Sequence, residues 1–82
     1  MSYLLELKNK LKFRNSMDWK KIDEDKVITH LKYLSQFHSD KCNINVLFFL
    51  GANGYIVEYP KRFKGWRLTS LGESVIKELM GN

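Results

Sequence analysis

The chain has one cysteine, Cys42, and one proline, Pro60, and no glycine before residue 51. A single thiol excludes a disulfide framework and suits a reducing compartment, so the expected location is cytoplasmic. No apolar run is long enough for a membrane span. The start, "MSYLLELKNK", carries charges every few residues, which points away from a signal peptide. Repeats and low-complexity tracts are missing. So are a nucleophile beside a base, a glycine-rich phosphate loop and paired catalytic carboxylates, so neither an enzyme nor a cofactor is expected.

What is present describes a small globular protein. Hydrophobic residues make up 44% of the sequence and aromatics 13%, too much for a disordered chain. Eighty-two residues suffice for one domain, residues 1–82, with a small core. A core of that size makes self-association a natural expectation.

The net charge is +5, and it is unevenly spread. Lys8, Lys10, Lys12, Arg14, Lys20 and Lys21 against Glu6 and Asp18 give residues 1–22 a net +4. Lys61, Arg62, Lys64 and Arg67 against Glu58 give residues 55–67 a net +3. The remaining segments are neutral or carry one negative charge. Two basic blocks favour an anionic partner.

Leu4, Leu7 and Leu11 recur at helical spacing, which predicts a first helix over 2–13, with "RNSMDW" as a connection. Asp23 can cap a second helix whose first turn carries Glu24 and Asp25. Val27, Ile28, Leu31 and Leu34 form its apolar face. "NINVLFFLGANG" fits a buried strand or a short third helix; the glycine stop at Gly54 favours the helix, capped by Asn43 or Asn45. "YIVEY" and "WRLT" are strands around the turn "PKRFKG", with Trp66 and Leu68 on one face and Arg67 on the other. Thr69 then caps a last helix striped by Leu71, Val75, Ile76 and Leu79. The fold class is α+β, mostly α, in the order helix, helix, helix, strand, strand, helix.

The stretch "FFLGANGYIVEYPKRFKGWRLTSLGESVIKEL" resembles the second half of winged helix-turn-helix transcriptional regulators of the multiple-antibiotic-resistance, arsenic-resistance and phenolic-acid-repressor kinds. The resemblance covers residues 46–80. It rests on Leu50, the step Gly54-Tyr55-Ile56, the charged tip 60–65, Leu68-Thr69 and Gly72 before a closing helix. It implies a two-stranded wing, a transcriptional regulator that binds double-stranded DNA, and a homodimer. Carried over, Lys61, Arg62 and Lys64 at the tip and Arg67 on the outer face would meet phosphates.

The third helix is the implied recognition helix, yet its sequence is apolar. Near its start, Lys41, Asn43 and Asn45 are the candidates for contact with DNA, and an asparagine amide can pair with adenine. If Ile56 faces the core, alternation turns Tyr55, Val57 and Tyr59 outward as an interface with a second copy or a protein partner; the alternative places them under the first helix. That row and the apolar third helix support a second reading, a protein-interaction module that does not bind DNA specifically. His38, Asp40 and Cys42 lie close in sequence, but a structural zinc site takes four ligands, usually as two close pairs. With His30 the only other histidine, no metal is expected.

Overall fold

The computed structural model describes residues 2–36, 43–58 and 65–81. Four helices and a two-stranded antiparallel sheet follow one another as α1 (Tyr3–Met17), α2 (Glu24–Gln36), α3 (Ile44–Ala52), β1 (Ile56–Glu58), β2 (Trp66–Leu68) and α4 (Ser70–Leu79). The mostly helical α+β class and the order of elements match the expectation.

Helix α1 begins at Ser2, whose Oγ accepts the Leu5 N–H at 3.0 Å. It runs past the expected end at residue 13 to Met17. Side chains in the last turn explain the extension. Asn15 exchanges two hydrogen bonds with the backbone of Ile22, at 2.9 and 3.0 Å, and Arg14 pairs with Asp18 at 3.3 Å. The connection to α2 is thus held by residues that are themselves helical. Leu7 and Leu11 are buried and Leu4 packs against the same core.

The Asp23 carbonyl accepts the N–H groups of Lys26 and Val27 and so starts α2, which buries Val27, Leu31 and Leu34. In α3, the Asn43 side chain accepts the Asn45 N–H at 2.8 Å. The helix is stopped by Gly54 at φ 81°, a conformation that costs glycine little. With that turn made, the Tyr55 N–H reaches back to the Leu50 carbonyl at 2.9 Å. The stretch "VLFFL" is therefore helical, and it buries Val46, Leu47, Phe49 and Leu50.

The strands pair Ile56 with Leu68, Val57 with Arg67 and Glu58 with Trp66. Thr69 Oγ accepts the Gly72 N–H at 3.2 Å and opens α4. The chain's two ends meet through Glu78, whose carboxylate accepts Ser2 Oγ–H at 2.7 Å and the N–H groups of Tyr3 and Leu4. A carboxylate near the end of α4 thereby sits at the positive end of α1, where charge and orphan donors both favour it. Leu7, Leu31, Leu50, Ile56 and Val75 bring every helix and β1 into one buried cluster, with Leu68 of β2 packed against it.

Candidate nucleic-acid interface

The surface around α3 has two distinct parts. At its start lies a small cleft of about 140 Å³ lined by Lys21, Asp23 and Lys26 on one side and Asn43 and Asn45 on the other. Two lysines and one aspartate thus border the cleft. The Lys21 ammonium itself donates to the Asn15 and Asp18 carbonyls at the end of α1. Lys26 sits one helical turn before His30, which fastens α3 to α2. The His30 Nε2 accepts the Asn43 N–H at 3.0 Å, while Nδ1 lies 2.7 Å from the Lys26 carbonyl. That pairing requires the neutral ring with its proton on Nδ1.

Along its body, α3 turns an apolar face to solvent. Ile44 is 58% exposed and Phe48 70% exposed, with Asn45 between them and Ala52 a turn further on. Residues 44–52 carry no charged side chain. Beside this face runs a groove of about 350 Å³ between α3 and the sheet, lined in part by Phe48, Ala52, Val57, Glu58 and Trp66. Trp66 lies against Gly51, where an added Cβ would stand 3.7 Å from the ring.

Of the residues expected to contact DNA, the cleft unites Asn43 and Asn45, though they differ in freedom. The Asn43 side-chain oxygen is engaged as the α3 cap, whereas Asn45 is exposed and its amide has no partner among the described residues. Arg67 is exposed on β2, opposite Val57. Lys41, Lys61, Arg62, Lys64 and Tyr59 lie outside the described residues, as do His38, Asp40 and Cys42.

The expected outward row of Tyr55, Val57 and Tyr59 requires a correction. Tyr55 is 0% exposed and lies beneath α1, with Lys10 Nζ 5.1 Å from its ring centroid. The residue belongs to the turn that leaves α3, so strand alternation does not reach it. It and Ile56 both point inward. Val57, within the strand, is 40% exposed as expected. The Tyr55 hydroxyl is buried with no hydrogen-bond partner among the described residues. Burial pushes its pKa up, and nearby Lys10 opposes that rise.

The chain matches no family model, no curated protein and no solved structure. Its geometry therefore carries the functional argument. No described helix is long and apolar enough to cross a membrane.

The basic residues of α1 do not act as a set. Lys10 pairs with Glu6 at 3.2 Å and Arg14 with Asp18, which leaves Lys12 exposed and Lys8 half-buried. The cations that do converge beside α3, Lys21 and Lys26, were not singled out by sequence reasoning. Lys21 is one of six cations in the first basic block, and Lys26 follows directly on Asp23, Glu24 and Asp25.

Proposed function

We propose that the chain is a small winged-helix protein that binds double-stranded DNA and regulates transcription, acting in the cytoplasm as a homodimer. The observation that carries this reading is the cleft at the start of α3 that Lys21 and Lys26 line together with Asn43 and Asn45. A helix stopped by Gly54 and followed by an antiparallel pair is the arrangement a recognition helix and its wing would need. In this reading Lys21 and Lys26 neutralise phosphates flanking α3, Arg67 meets the backbone from the sheet, and Lys61, Arg62 and Lys64 extend that contact at the hairpin tip. Such contacts supply affinity, orientation and salt dependence.

The test is fluorescence anisotropy with random-sequence duplex DNA, comparing wild type with Arg62→Ala/Lys64→Ala and Lys21→Ala/Lys26→Ala. The reading expects both double variants to bind more weakly than wild type. Equal affinity in all three proteins would contradict it.

One observation favours a second reading, a protein-interaction module. Ile44 and Phe48 expose apolar surface of the kind a protein partner covers, and the neighbouring groove contains Val57 and Trp66. Protein contact through that face would leave DNA binding unaffected by, or unnecessary to, the function.

A further inference from the structure

The apolar face of α3 and the cleft at its start lie on one short helix, and together they define a ligand chemistry. From this we infer, resting on the DNA-binding reading above, that α3 recognises A·T base pairs through the C5-methyl groups of thymine. Ile44 and Phe48 would contact the methyls, and Asn45 would pair with adenine.

The argument begins with what this face can and cannot do. Asn45 apart, its outward side chains at Ile44, Phe48 and Ala52 offer no hydrogen bond to a base edge. The major groove is about 12 Å wide and admits a helix. Among its base edges, the apolar feature is the thymine methyl; an amide matches adenine N6 and N7. Both preferences select the same base pair. A G·C pair presents neither feature.

Spacing and charge agree. Ile44 and Phe48 are one turn apart, about 6 Å along the axis at 1.5 Å per residue. Base pairs rise about 3.4 Å, so the two side chains would reach positions about two steps apart. Because α3 carries no charge, nothing on its own face repels the phosphates on either side of the groove. Lys26 lines the cleft at its N-terminal end, where it can hold a phosphate and fix the helix in register. The occupant of this exposed face is then the thymine-bearing wall of the groove.

The experiment compares a short A·T-rich duplex with the same duplex carrying uracil for thymine, which deletes the methyl and keeps every hydrogen bond. Wild type and Ile44→Ala/Phe48→Ala are measured on both by anisotropy at low salt. Both residues are largely exposed, so the variant should fold, and a matching circular-dichroism spectrum checks this. Wild type is expected to lose about fourfold in affinity for each contacted methyl removed. The variant should bind the two duplexes equally. Equal, salt-sensitive binding of both duplexes by wild type would overturn the inference while leaving DNA binding intact. Discrimination that persists in the variant would overturn it too, since the methyls would then be read elsewhere. No binding to either duplex would overturn this inference and the DNA-binding reading together, and would leave the α3 face to a protein partner.

Discussion

Gly72 packs directly on the Tyr55 carbonyl: a Cβ added to the glycine would stand 2.2 Å from that oxygen. The same carbonyl accepts the Thr69 N–H at 3.1 Å, so the turn after α3 and the first turn of α4 meet backbone to backbone. Tyr55 places its ring in the core beneath α1, and its carbonyl braces α4.

Gly72→Ala should therefore be strongly destabilising. The obstructing atom is backbone, so neither neighbour can rotate away, and overpacking of this kind costs roughly 1–3 kcal/mol or more. Urea unfolding followed by circular dichroism should show a clearly lower midpoint. An unchanged midpoint would mean that α4 does not approach the turn this closely.

The two truncations of Tyr55 should differ widely in cost. Its hydroxyl meets no well-formed hydrogen-bond partner among the described residues and has only the Lys10 ammonium nearby, so Tyr55→Phe should change stability by less than about 1 kcal/mol. Tyr55→Ala empties part of the core and should cost about 3–5 kcal/mol, the range for large aromatic truncations. Thermal melts of the two variants beside wild type decide this. Comparable losses in both would show that the hydroxyl is engaged.

The Glu78 bridge makes stability depend on acid pH. The hydrogen bond from Ser2, with those from the Tyr3 and Leu4 N–H groups, holds its pKa below the ordinary 4.5, against a smaller opposing effect of burial. A carboxyl lowered in the folded state contributes stability that is complete above the unfolded value. That contribution is lost as the pH falls through the folded one. Wild type should thus lose stability below about pH 4.5 more steeply than Glu78→Gln, which lacks this titration. Parallel pH profiles for the two proteins would contradict the bridge.

Much of this fold was legible because it rests on local rules. The leucine spacing in α1 and α2, the Gly54 stop and the Thr69 cap each follow from a few adjacent residues. The facing of Trp66 and Leu68 inward and Arg67 outward also followed from alternation. The failures came where a residue's environment is set by distant chain. Tyr55 sits one position before its strand and is governed by α1 and α4, so alternation misplaced it. The last turn of α1 is maintained by Asn15 reaching Ile22, a link no periodicity reveals. The cleft beside α3 was hidden for the same reason: Lys21 and Lys26 come together with Asn43 and Asn45 only through the packing of α2 on α3 and the His30 link.

The central claim is that the cationic side of this chain holds DNA phosphates, and the salt dependence of duplex binding tests it most directly. With about four to six phosphate contacts, log Kobs should fall against log salt with a slope near −4 to −5. In Lys21→Ala/Lys26→Ala the slope should be shallower by about two. Failure of the wild-type protein to bind duplex DNA even at low salt would contradict the account.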